Sequence, residues 1–131
     1  MFVDASALIA ILTDEAEARI LVARLQRAPR RITTPPAVWA NTVVVARSLG
    51  LPIPEAREAL QAYLALASIQ VVSVPASVTD GALDAYDRYG EGRHPAALNF
   101  GDCLAYACAR YYRLPLLYKG DGFARTDIEA A

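Results

Sequence analysis

Short apolar runs alternate along the chain with stretches whose apolar residues recur every three to four positions. Met1 to Val3 is an apolar run that stops at Asp4 and reads as a strand buried in a sheet. Asp14 and Glu15 precede Ala18, Leu21, Val22 and Leu25, spaced i, i+3, i+4, i+7, so a helix is predicted to open at the acids and to end at Pro29. Ile32 to Thr34 is a possible short strand. Pro35 and Pro36 then begin a helix that runs to about Leu49, with Gly50 as its stop. Pro54 opens another, with Ala56, Leu60, Tyr63, Leu64 and Ala67 on one face. Ile69 to Val74 is rich in β-branched residues and predicts a strand. Ser77 is a predicted N-cap with Asp80 in the capping-box position; Val78, Ala82, Ala85, Tyr86 and Tyr89 line the helix that follows, and Gly90 closes it. Tyr89 to Phe100 is a loop. Gly101-Asp102 leads into a helix ending near Tyr112, Leu114 to Tyr118 is a strand, and Lys119 to Gly122 is a turn. Strands alternating with helices predict an α/β fold around a parallel sheet.

The chain has 131 residues, which suits a single domain spanning 1–131 with a full-sized core. Apolar residues make up 55%, which excludes intrinsic disorder. With 13 basic and 14 acidic residues, bulk charge cannot drive nucleic-acid binding, so any such contact must be local. Two cysteines and one histidine cannot build a Cys₄ or Cys₂His₂ zinc site. Cys103 and Cys108 point in different directions on a helix and read as buried small residues in a reducing compartment. The longest uncharged stretch, Ala59 to Thr79, carries Gln61, Ser68, Gln70, Ser73 and Pro75, so it is not a membrane span. Met1-Phe2-Val3-Asp4 has no basic leader character, and a cytoplasmic location is expected.

In open parallel sheets, ligands bind outside the carboxyl ends of the strands. Asp4 ends the first strand, Ser6 follows it, Asp102 begins a helix, and Asp121 follows the last strand. Carboxylates gathered there repel one another unless a hard cation such as Mg²⁺ or Mn²⁺ holds them. Such a cation activates water and stabilises a phosphodiester transition state. Each residue also has an ordinary local role: turn former for Asp4 and Asp121, helix N-cap for Ser6, first-turn acid for Asp102. Trp39 and Tyr63, Tyr86 and Tyr89 read as core, with Trp39 also suited to a dimer interface.

The segment Phe2 to Ala10 resembles the opening of PIN-domain proteins, specifically the VapC toxins of bacterial toxin–antitoxin pairs. Tyr89 to Cys103 is a stronger match, and Leu116 to Gly120 and Thr126-Asp127-Ile128 resemble the family's C-terminal motif. The resemblance implies a PIN-like three-layer α/β/α sandwich and a Mg²⁺-dependent endoribonuclease, with Mn²⁺ as a possible substitute. It further implies a VapB-like antitoxin, an RNA substrate and a homodimer. Four acids surround the metal in the family. Asp4 matches the first and Asp102 the third; Ser6 matches the hydroxyl beside the metal, and Asn99 lies where it could orient a phosphate or a water. Arg93 and His94, in the loop before Asp102, are candidate RNA contacts. Ala40 stands at the second acidic position and Gly122 at the fourth. Asp121 is an off-register candidate ligand, and Asn41 offers a neutral oxygen.

Three readings follow from those losses: an active nuclease with Asp121 and Asn41 as substitutes, a natural pseudo-enzyme that keeps only a binding surface, or a deliberately disarmed chain. A receiver-like phosphoacceptor also uses a strand-end Asp, Mg²⁺ and a late lysine. It requires an acidic pair near the first strand and a phosphoacceptor Asp mid-chain. Asp4 has no acidic neighbour before Asp14, and no strand-end Asp occurs between Asp14 and Asp80.

Overall fold

A computed structural model describes all residues, 1–131. Four strands, β1 (Phe2–Val3), β2 (Ile32–Thr33), β3 (Gln70–Val71) and β4 (Leu116–Leu117), form one sheet in the order β3-β2-β1-β4. Every pairing is parallel, with Phe2 opposite Ile32 and Leu116, and Val3 opposite Leu117. Six helices cover the sheet: α1 (Ala5–Leu12), α2 (Ala18–Arg27), α3 (Pro35–Leu49), α4 (Ile53–Leu66), α5 (Val78–Tyr89) and α6 (Phe100–Tyr111). A single 3₁₀ turn, Phe123–Arg125, follows β4.

Successive strand residues point to opposite faces, and this divides the core in two. Phe2, Ile32 and Leu116 pack with Val78, Ala85, Tyr106 and Cys108 of α5 and α6. Val3 and Leu117 pack on the other face with Leu8, Leu21, Leu25 and Leu60 of α1, α2 and α4. The result is the expected α/β/α sandwich. Its strands are buried on both faces, except the edge strand β3, whose residues are exposed. Both cysteines are buried and free, as expected.

Several local expectations need correction. The helix expected at Asp14 begins at Ala18 instead; Asp14 takes a left-handed φ of 53°, and the acids form the turn that reverses the chain after α1. Ser6 is not the cap of α1. Asp4 holds that position and accepts from the Ser6 amide. Ser77 precedes α5 but caps nothing with its side chain. The expected strand to Val74 is paired only over Gln70–Val71. Trp39 and Tyr86 are not core: they are 70% and 41% exposed. Gly50 does end α3 in the left-handed conformation, at φ 64°, as expected.

Candidate active site

The sheet order places a topological switch between β1 and β4, because the chain leaves β1 towards β2 and returns on its other side. Asp4 sits at the carboxyl end of β1 on that side. Its amide donates to the Leu117 carbonyl of β4 at 2.9 Å, which fixes it at the sheet edge. Asp4 also caps α1, so its carboxylate lies at the positive end of a helix. Ser6 holds it there twice: the amide and the hydroxyl both donate to Asp4 Oδ2, at 3.0 and 2.5 Å. The Ser6 hydroxyl in turn accepts from the Lys119 amide at 3.0 Å, which ties the segment after β4 to the site.

Asp102 arrives from the far side of the chain on the first turn of α6. A capping box sets it: Asn99 Oδ1 accepts from the Asp102 amide at 2.9 Å, and Asp102 Oδ2 accepts from the Asn99 amide at 3.0 Å. The sequence carried this signal in the Asn-x-x-Asp spacing, and the reading above missed it. With Asn99 Oδ1 committed, the amide group of Asn99 is left with donors to offer.

These residues line one cleft of about 260 Å³, whose walls include Asp4, Ser6, Thr34, Ala40, Asn99 and Asp102. Burial pushes the Asp4 carboxyl above the ordinary carboxylate range, the Ser6 bonds oppose that rise, and the like charge of Asp102 adds to it. Asp102 is also raised, chiefly by burial, with the Asn99 amide opposing and Glu91 adding like charge. Two carboxylates that resist ionisation together are suited to a positive charge between them.

The remaining candidates do not join them. Asp121 is exposed and outside the cleft, and no third acid completes a metal-holding group with Asp4 and Asp102. Gly120, at φ 101°, turns the chain after β4, and the 3₁₀ turn that follows leaves Asp121 at the surface. Asn41 is fully buried, donates to the Ala37 carbonyl at 2.8 Å, and leaves its Oδ1 sealed without a partner. It is no ligand for the cleft. Ala40 does line the cleft, so the second acidic position points where the resemblance requires, without a ligand atom. Gly122 lies at the base of the 3₁₀ turn, and the Ala96 carbonyl closes on it.

Arg93 and His94 are outside the cleft as well. Arg93 pairs with Asp87 at 3.2 Å and lies 5.5 Å over the Tyr86 ring. His94 meets the Tyr89 ring edge-on, and its Nδ1 accepts from the Ala96 amide at 3.0 Å.

The PIN domain family model matches residues 1–129. The chain belongs to the PIN-domain family. Within it, the chain is 42% identical to the ribonuclease VapC of Mycolicibacterium smegmatis, over 99% of its length and 98% of that protein. It is 38% identical to ribonuclease VapC30 of Mycobacterium tuberculosis, over 98% and 95%. The crystal structure of VapC20 of Mycobacterium tuberculosis, a sarcin–ricin loop cleaving toxin, superposes with a TM-score of 0.77 at 18% identity, over 99% and 97% of the two chains. That likeness shows the shared PIN fold. The identities place this chain among the VapC ribonucleases.

Mg²⁺ keeps several waters and binds through one or two carboxylates together with substrate phosphate. Asp4 and Asp102 in a roomy cleft meet that minimum for one ion. They do not provide for two, because a paired site needs carboxylates on both sides.

Proposed function

We propose that this chain is a Mg²⁺-dependent endoribonuclease of VapC type, the toxin half of a toxin–antitoxin pair, working with one ion and at reduced strength. The observation that carries this reading is the meeting of Asp4 and Asp102 in one cleft at the β1/β4 switch point, from opposite ends of the chain. Asp4 and Asp102 would hold the ion, with Mn²⁺ as its substitute. When bound, that ion neutralises phosphodiester charge and acidifies water. Ser6 keeps the Asp4 carboxylate oriented. The Asn99 amide group is a donor for a phosphate oxygen beside Asp102. Arg93 and His94 stand at a distance from the chemistry and would touch RNA only beyond the scissile link.

A second reading has its own observation. Ala40 offers no ligand and a side chain at 122 would crowd the Ala96 carbonyl, which favours a catalytically silent PIN module that binds antitoxin or RNA. A VapB-like antitoxin and a second copy of the chain are the partners this family membership supports. Exposed Trp39, Ile53, Leu83 and Phe100 supply apolar surface for such partners. No helix is long and apolar enough to cross a membrane, which is consistent with the cytoplasmic location we propose.

The test is RNA cleavage by the purified chain with Mg²⁺ and with chelator, beside the Asp4→Asn and Asp102→Asn variants. Cleavage that needs the ion and both acids supports the nuclease. Absence of cleavage, restored by Ala40→Glu with Gly122→Asp, identifies the silent module.

A further inference from the structure

The cationic side chains divide by what they face. Arg88, Arg93, Arg110 and Lys119 are held by carboxylates. Arg31 donates to the Gln26, Ala28 and Ala67 carbonyls and so ties the end of α2 to the end of α4. Arg24, Arg27, Arg30 and Arg113 are exposed and join no ion pair. Every strand of a parallel sheet begins at the same edge, and these four lie on the segments that lead into it. Arg24 and Arg27 are in the last turn of α2, Arg30 stands just before β2, and Arg113 lies between α6 and β4. The Arg30 guanidinium is 5.9 Å from the centre of the Tyr112 ring, which brings the two connections together. The Tyr112 hydroxyl donates to the Ser73 carbonyl at 2.7 Å and fixes that ring. Glu129 reaches the flank of β4 nearby and pairs with none of the four. The edge lies opposite the cleft: Asp102 opens α6 and Arg113 follows it, with about 15 Å of helix between them.

Arg24 and Arg27 have a simple local role, since cations suit the carboxyl end of a helix. Arg113 needs more. It takes a left-handed φ of 56°, with its amide donating to the Arg110 carbonyl at 3.1 Å and the Leu114 amide donating to the Ala109 carbonyl at 3.0 Å. Glycine fills such a position without strain, and a favourable helix dipole offsets only part of what an arginine loses there. We infer that the amino-terminal edge of the sheet is a second RNA-backbone site, where Arg27, Arg30 and Arg113 hold phosphates of the strand remote from the cleft. The inference rests on RNA being the ligand proposed above, and depends neither on the ion nor on cleavage. Guanidinium forks match phosphate oxygens, and backbone contacts of this kind position a strand without reading its sequence. A chain of net charge −1 attracts a polyanion only through such local concentration of charge.

The test is fluorescence anisotropy of a labelled 20-nucleotide uridine RNA with the full chain, in chelator so that no strand is cut, across a salt series. Arg27→Gln with Arg30→Gln and Arg113→Gly removes three charges from this edge. Arg19→Gln with Arg47→Gln and Arg57→Gln removes three exposed, unpaired charges elsewhere. The expected result is at least about a tenfold weaker RNA Kd for the edge triple and a salt slope shallower by about 2, with the control triple within about threefold of the parent. Arg113→Gly alone should weaken RNA binding while its Tm stays at or above that of the parent, a split that a purely structural arginine would not give. Equal weakening by the two triples, no weakening by the edge triple, or no RNA binding by the parent overturns the inference. Binding to phosphatidylglycerol vesicles that the edge triple loses, with RNA binding unchanged, overturns it in favour of a lipid surface. Mg²⁺-dependent cleavage that persists beside any of these results leaves the proposed nuclease standing without this edge.

Discussion

Position 122 should resist any side chain, whereas position 40 should accept one. Gly122 takes φ −59° and ψ −59°, a right-handed conformation open to every residue type. Backbone strain is thus no obstacle. Space is the obstacle: a Cβ there would stand 3.1 Å from the Ala96 carbonyl oxygen and 3.6 Å from Leu98 Cδ2. Ala96 and Leu98 are both buried, and Leu98 is pinned by main-chain bonds to Tyr89 and Glu91. The carbonyl must yield by a few tenths of an ångström within packed surroundings. Overpacking of this kind costs about 1–3 kcal/mol. Removing a glycine's freedom from the unfolded chain returns about 0.4–1 kcal/mol. Gly122→Ala should therefore destabilise by about 1 kcal/mol, lowering Tm by roughly 3–5 °C in a chain of this size. Ala40→Ser, on the open wall of the cleft, should stay within about 0.5 kcal/mol of the parent. Thermal unfolding followed by circular dichroism compares them. A Gly122→Ala variant as stable as the parent would refute the closure of that position, and with it the view that the fourth acid is harder to restore than the second.

Three further outcomes follow from the site. Burial raises the Asp4 carboxyl, so the folded chain holds that proton more tightly than the unfolded chain does, and parent stability falls as pH rises from the ordinary carboxylate pKa through the folded value. The Asp4→Asn variant lacks that fall, so its Tm advantage over the parent should widen between pH 4 and neutrality; a constant difference across that range would contradict the burial argument. Asn99→Ala removes the cap of α6 and one half of the capping box, and should cost about 1 kcal/mol in chemical denaturation while loosening Asp102; no loss of stability would mean the box is dispensable. Asn41→Leu replaces a sealed, unpartnered oxygen with an apolar group of similar size and should raise the denaturation midpoint by about 1 kcal/mol equivalent, against a decrease if the amide is in fact satisfied.

Periodicity located α2, α4 and α5, but α1, which carries Ser6, was not predicted as an element, because Ala5–Leu12 is apolar nearly all round and shows no face. Asp4 at a strand end and Asp102 at a helix start were legible because local rules place such residues there. Burial was less legible. Tyr86 falls on the apolar face of α5 yet is 41% exposed, because periodicity reports a face without reporting what covers it. Trp39 follows two prolines on α3 and projects outward for the same reason. The acids at 14 and 15 look like a helix start because charge favours one, but Asp14 turns left-handed and α2 begins only at Ala18. The largest blind spot was Asp121. Its distance from Asp4 in the fold depends on how two residues after β4 bend, and no spacing rule records that.

Buried carboxylates without a counter-charge are a cost to the fold. Lys119 shows how the fold handles its neighbours. It is the only lysine, its amide completes the Ser6–Asp4 network, and its side chain leaves that network to serve Glu15 and Glu17. Had the ammonium entered the cleft, it would have neutralised Asp4 from within and left no need for an external ion. Asp127 is one surface acid matched by side chains: Arg88 and Arg110 approach at 3.1 and 3.5 Å, and the Tyr106 hydroxyl donates. Asp4 and Asp102 face no Lys, Arg or His across their cleft. In the cleft at the β1/β4 switch point, Ser6 and the Asn99 amide hydrogen-bond the two carboxylates, but no cationic side chain faces them. A silent scaffold has no use for that expense, since Asn at position 4 would cap α1 as well. The charge pattern therefore favours the proposed nuclease over the silent module.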